Sequence, residues 1–245
     1  YQDQSGALNE SVSDVFGVLV KQRLLGQSAD QADWLIGADL LGPDVKGVAI
    51  RSMAAPGTAY DDPRLGKDPQ PGHMRDYVDT QDDNGGVHIN SGIPNRAFHV
   101  VATTLGGNAW EVAGQVWFDT ITGDIRADCD FATFARLTVA AATARHGEGS
   151  EVVAAVRAGW DAVGLPDAVA PGSDAAAPAA PPASTSPTTP PEPGHPAPGT
   201  AVSVRRTGGL AGRTLERTVA LAELPKADAR AWRSLLADDH LPAIA

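Results

Sequence analysis

The chain has 245 residues, 42% of them hydrophobic and 5% aromatic, and a net charge of −11. That length suffices for one or two domains whose core must rely on Ala, Val and Leu, and the negative balance argues against nucleic acid as a partner. The single cysteine, Cys129, excludes an intrachain disulfide, and the longest apolar runs are far too short to span a bilayer.

From the N-terminus, Leu8, Val12, Val15, Phe16 and Leu19 recur at helical spacing and predict a helix from near Ser5 to Arg23. Glu10 and Asp14 are four apart, so they share a face, opposite the Leu/Val stripe. Such a pair is either a solvated polar face or part of a metal site, one acid binding the ion while the other orients a histidine ligand. A long irregular stretch rich in Gly, Pro and Asp follows, through about Asn84. It leads into Asp83-Asn84-Gly85-Gly86-Val87-His88. Gly85 and Gly86 permit a sharp turn. Asp83, five residues before His88, can fold back onto the imidazole and fix its tautomer. The product would be a positioned cation or proton donor at a loop–helix junction. The plain alternative is a turn whose histidine merely caps the next helix.

The following segments read as helices. Ser91 or Asn90 can cap the first, with Pro94 in its first turn, and Gly106-Gly107 ends it. Trp110 to Ile121, Phe131 to Arg145 and Glu151 to Val163, the last capped by Ser150, complete the set. His99, Trp117 and Trp160 fall on helices among apolar neighbours and read as packing residues. Residues 166–199 hold 11 of the 19 prolines and one large aliphatic residue, Val169, which describes a disordered, Pro/Ala-rich linker. It separates residues 1–165, with 12 Lys and Arg against 22 Asp and Glu, from residues 200–245, with 7 against 5. In the tail, Val202–Arg206 and Thr218–Leu221 read as strands around a glycine-rich turn, Thr207–Gly212, and Pro225 to about Asp238 reads as a helix.

Three segments carry a resemblance. Gly6-Ala7-Leu8-Asn9-Glu10-Ser11-Val12-Ser13-Asp14, Arg51-Ser52-Met53 and Asn84-Gly85-Gly86-Val87-His88-Ile89-Asn90-Ser91-Gly92-Ile93 resemble, in order and spacing, the thermolysin family of zinc metalloendopeptidases. The resemblance covers residues 1 to about 165 and implies a mainly α fold, the helical C-terminal domain of such enzymes. It implies that Glu10 binds Zn2+, that Asp14 hydrogen-bonds a zinc-binding histidine, and that Tyr1 and His88 stabilise the oxyanion, with Asp83 orienting His88. Arg51 would bind a backbone carbonyl of the peptide substrate, and Ile50 would help line an apolar specificity pocket. The family's remaining ligands and general base lie in a His-Glu-x-x-His helix, which this sequence lacks; none of its six histidines pairs at i, i+4. The chain starts at the tyrosine that follows that helix, so it is expected to be the C-terminal part of a longer enzyme, inactive by itself.

Calcium-binding members of the family carry an acidic cluster after the glutamate helix. Here Lys21, Leu35 and Ala38 occupy such positions, so that calcium cluster is expected to be mostly absent, as in the protealysin branch. The tail resembles emfourin, the small protein inhibitor associated with protealysin-like peptidases, and stops soon after its helix. That resemblance implies a small α+β, inhibitor-like regulatory segment, and the opposite charge balances and the 34-residue linker would let it contact the peptidase lobe in cis. Membrane and nucleic-acid partners are not expected, and the family favours secretion over the cytoplasm. The alternative reading is a non-catalytic, peptidase-like scaffold that acts as a binding or inhibitory protein.

Overall fold

Helix α1 (Asp3–Leu25) packs against four of the other five α-helices among the described residues. The expected stripe is buried at Leu8, Val15 and Leu19, with Val12 and Phe16 partly buried against the core. Gly6, Ala7, Ser11, Asp14, Val18 and Gln22 are buried too. The helix is therefore covered on more than one side, and the Glu10/Asp14 face is not simply solvated. Small residues on its second side allow this, because they let another helix approach closely. The helix ends two residues beyond the expected boundary at Gly26, whose left-handed backbone (φ 64) turns its N–H back onto the carbonyls of Gln22 and Arg23.

The computed structural model describes residues 1–170 and the backbone of two further strands, Ala201–Arg206 and Leu215–Ala220. Contacts divide the chain into two compact units, Tyr1–Pro178 and Ala179–Ala245.

The stretch after α1 is irregular, as its composition predicts, but pinned. Strands β1 (Leu35–Ile36) and β2 (Arg51–Ser52) pair antiparallel, with Ile36 opposite Arg51. Strands β3 (Asp61–Asp62) and β4 (Gly66–Lys67) form a tight hairpin. Buried carboxylates replace regular ladders as partners for loop N–H groups. Asp68 accepts from the backbone of Gly57, Ala59 and Gln70, and Asp62 from Lys46 and Arg64.

Helix α2 (Asp83–Asn90) is a short helix before the one expected after Asn90 or Ser91, and it starts left-handed. Asp83, Asn84, Gly85 and Gly86 have φ of 54, 52, 82 and 72°, after which the chain resumes a right-handed turn. Asp, Asn and Gly are the residue types that tolerate this region. α2 runs directly into α3 (Gly92–Leu105), so the expected side-chain cap is not used. The Ser91 hydroxyl instead donates to the His88 carbonyl, and Asn90 forms two bonds with the backbone of Val78. The end of α3 at Gly106 agrees with expectation. α4 (Ala113–Thr122) begins three residues later than expected, because Asn108–Val112 forms turns in which Glu111 N–H bonds Asn108 O and Gly114 N–H bonds Ala109 O.

α5 (Phe131–His146) and α6 (Glu151–Ala162) start at the expected residues, and the Ser150 hydroxyl accepts from Val153 N–H. Trp117 and Trp160 are fully buried and stack with ring centroids 6.2 Å apart, 7° from parallel. Phe98 and Phe134 pack edge-on against them. The Trp160 indole N–H is satisfied by Thr138 Oγ1 at 2.8 Å. His99 lies half-buried against Trp34, centroids 5.0 Å apart. The unit is thus a mainly helical domain.

In the second unit β5 (Ala201–Arg206) pairs antiparallel with β6 (Leu215–Ala220), in a register that sets Arg205 opposite Glu216. β6 begins three residues before the expected strand. The expected turn at Thr207–Gly212, the helix from Pro225 to Asp238 and most of the linker lie outside the described residues.

Candidate active site

Glu10 and Asp14, one turn apart on α1, meet α2, β2 and the first residue of the chain at a single cluster. The α1–α2 seam is tight: a Cβ on Gly6 would stand 2.5 Å from Val87 Cγ1. Val87 immediately precedes His88, so this contact brings the imidazole over α1. Its Nε2 lies 3.5 Å from Glu10 Oε2, and the Tyr1 hydroxyl donates to Glu10 Oε1.

Asp83 holds His88 twice. One carboxylate oxygen accepts from the His88 backbone N–H at 2.8 Å, and the other lies 2.5 Å from ring Nδ1. The left-handed turn makes this geometry reachable across five residues. From the other side, the amide of Gln70, 5% exposed, donates to the His88 carbonyl at 2.8 Å and to Ser91 Oγ at 3.0 Å. His88 is therefore fixed at its backbone N–H, its carbonyl and its ring, with Nε2 directed at Glu10.

A second knot adjoins the first. Arg51 grips Asp14 with both tines of its fork, Nε to Oδ2 at 2.8 Å and Nη2 to Oδ1 at 2.6 Å. Asn95, on α3, donates to Asp14 Oδ2 at 2.8 Å. Asp14 is 6% exposed and Asn95 1%. Burial works against the Arg51 charge, but the Asp14 bonds outweigh it and hold the guanidinium pKa above its usual value. Ile50 is half-buried and packs on the Gly37 turn beside Arg51. For Tyr1, reduced solvation of the hydroxyl and then the Glu10 carboxylate raise the pKa above the usual phenol value.

The seven candidate site residues, Tyr1, Glu10, Asp14, Ile50, Arg51, Asp83 and His88, thus lie within or beside one cluster, drawn from α1, β2, α2 and the N-terminus. Gln70 and Asn95 complete it and were not legible beforehand. Gln70 sits in a loop with no pattern. Asn95 lies two helical turns after His88, and only the α1–α3 packing gives that spacing meaning.

Among the described residues, no group of three or more His, Cys, Asp and Glu side chains stands close enough to hold a metal ion. Glu10 fits as one ligand of a shared site. Its side chain is 23% exposed, and Oε2 is engaged only by the long contact to His88. Asp14, by contrast, is committed on both oxygens. Away from the cluster, the Lys21 ammonium donates to both oxygens of Asp33, at 2.8 and 2.7 Å, and to Leu35 O at 3.4 Å.

Comparison with known proteins gives this arrangement its relatives. Residues 1–165 match the family described as thermolysin metallopeptidase, alpha-helical domain, and residues 204–244 match emfourin. An extracellular metalloprotease of Pectobacterium carotovorum is 55% identical over 166 residues, covering 67% of this chain and 47% of the relative. Protease PrtS of a Photorhabdus species is 54% identical, covering 67% of this chain and 45% of its own length. The precursor of protealysin, a metalloproteinase from Serratia proteamaculans, superposes with a TM-score of 0.65 at 60% identity, over 67% of this chain and 51% of that one. The chain spans about half the length of the curated relatives it matches.

Proposed function

Because the chain belongs to the thermolysin metallopeptidases, whose alpha-helical domain it carries, we propose that it is the C-terminal catalytic lobe of a zinc-dependent endopeptidase, joined to an inhibitor-like tail. The observation that carries this reading is the convergence of Tyr1, Glu10 and His88, with Asp83 behind the imidazole. Most of these groups are paired with one another, but Glu10 Oε2 is engaged only by the 3.5 Å contact to His88, and such a weakly satisfied carboxylate oxygen suits a ligand position better than a purely stabilising one.

Glu10 would hold Zn2+ together with ligands from the preceding part of the protein, and Asp14, with three of its acceptor sites taken by Arg51 and Asn95, would offer the one lone pair left on Oδ1 to one of those ligands. Zinc, when bound, polarises the peptide carbonyl and activates water. His88 and Tyr1 donate protons towards the oxyanion that develops on the scissile carbonyl. His88 is pre-aimed by Asp83, and the Tyr1 phenol carries its proton at neutral pH as any tyrosine does. Arg51 has one edge of its fork committed to Asp14 and turns the other to a backbone carbonyl of the substrate. Ile50, beside it, lines the pocket that selects apolar side chains. Lys21 supplies an internal cation to Asp33 and Leu35 O, which supports a fold that needs no calcium there. Secretion is the compartment this reading favours, after the extracellular relative. No helix among the described residues is long and apolar enough to cross a membrane.

Metal content and peptide hydrolysis test the proposal. The full-length protein should retain one zinc and cleave on the amino side of apolar residues, while this chain alone should do neither, because a functional zinc site takes at least three protein ligands. Glu10→Gln in the full-length protein should abolish zinc retention. A mutant with full zinc content and activity would remove Glu10 from the ligand set.

A further inference from the structure

We propose that Asn95 is a positioning residue for Arg51, acting through Asp14. This rests on the peptidase reading for its kinetic consequence but not for its geometry. Asp14 Oδ2 accepts two bonds from opposite sides, from Arg51 Nε and from Asn95 Nδ2, each at 2.8 Å, while Oδ1 takes Arg51 Nη2. A carboxylate held only by a guanidinium can swing with it about its own χ2, because that torsion is broad. A third donor from a different helix locks the carboxylate plane, and with it the direction in which the free edge of the guanidinium points.

The burial of Asn95 supports a donor role. The residue is 1% exposed, and its Oδ1 is buried without a hydrogen-bond partner. An apolar side chain of the same size would avoid that cost, so in this structure the cost is offset by what Nδ2 does. Its orientation is also dictated by chemistry: flipping the amide would set Oδ1 against the Asp14 carboxylate, oxygen facing oxygen. The two residues are 81 apart in sequence. Asn95 belongs to the helix that continues directly from the turn carrying His88, with Ser91 joining α2 to α3. Through Asn95, the element that aims His88 also sets the position of Arg51, so the oxyanion donor and the substrate clamp share one frame.

The experiment compares Asn95→Leu, Asn95→Asp and Arg51→Ala, singly and as the Asn95→Leu/Arg51→Ala double, in the full-length protein. Asn95→Leu should raise KM for peptide substrates about tenfold and leave kcat within about twofold, the effect of losing one well-placed hydrogen bond. In the Arg51→Ala background the same change should alter KM less than about twofold, since a residue acting through Arg51 has nothing left to position. Asn95→Asp, nearly isosteric, should cost at least as much, because it sets a second carboxylate against Asp14. Solvent exchange of the Arg51 Nε–H, read by NMR and assigned by its loss in Arg51→Ala, should speed up at least about tenfold in both Asn95 variants as the clamp loosens. An unchanged exchange rate, or a KM cost that persists without Arg51, overturns the proposal. A wild-type protein that cleaves no peptide would instead overturn the peptidase reading, and the Nε–H exchange would still decide the role of Asn95.

Discussion

Replacing Gly6 with alanine tests whether the α1–α2 seam, rather than local helix preference, decides the position of His88. The added Cβ would stand 2.5 Å from Val87 Cγ1 and 3.4 Å from the carbonyl carbon of Tyr1. Carbon atoms in contact prefer about 3.5–4.0 Å, so the shortfall at Val87 is roughly 1 Å. Val87 is fully buried and β-branched, with little rotamer freedom to yield. Overpacking of this kind costs about 1–3 kcal/mol. Alanine recovers less than about 1 kcal/mol of helix propensity, because Gly6 lies in the first turn of α1. The net loss is therefore about 1–2 kcal/mol, or roughly 2–8 °C in Tm for a domain of this size. Trimming Val87 to alanine should open the space. The Gly6→Ala/Val87→Ala double should then be more stable than the sum of the single changes by about 1 kcal/mol or more. Thermal melts of the full-length protein and its three variants measure this, with kcat as a second readout because Val87 adjoins His88. A Gly6→Ala protein at least as stable as wild type, or strict additivity with Val87→Ala, would refute the close-packing argument.

Three further outcomes are expected. His88→Ala in the full-length protein should lower kcat roughly 10²–10³-fold with little change in KM, as for loss of one oxyanion donor; a change confined to KM would make His88 a binding residue. Deleting everything after Leu165 should raise peptidase activity, and the separately folded tail should lower it again, more effectively at low salt because its charge balance is opposite to that of residues 1–165; unchanged activity and no binding would end the inhibitory reading. Burial, with Arg96 adding to it, lowers the His99 pKa from 6.5 to about 4, so below pH 6.5 the unfolded chain binds a proton that the folded one refuses. Stability should therefore fall as pH drops from 6.5 towards 4, and denaturant titrations of His99→Phe should show a flatter dependence across that window; an unchanged slope would mean that His99 does not titrate differently on folding.

Much of this protein was legible in one dimension because its signals are local. The apolar stripe of α1, the Ser150 cap, the glycine stop at Gly106 and the Asp83-to-His88 turn each depend on residues within a few positions of one another. Backbone geometry carries such signals directly into structure. The sequence also determined that Glu10 and Asp14 share a helix face, since four residues along a helix always do. It could not say that one of them is buried beneath Arg51 and Asn95 while the other stays half-open. That depends on which helices cover α1, and Gly6, Ala7 and Ser11 admit a neighbour without naming it. The left-handed start of α2 was hidden because Asp and Asn at positive φ leave no periodic trace, and its early merging with α3 removed the need for the expected cap. Gln70 and Asn95 show the limit most plainly. Each acts across a gap of 18 to 81 residues, and a contact at that separation exists only once tertiary packing has closed the chain on itself.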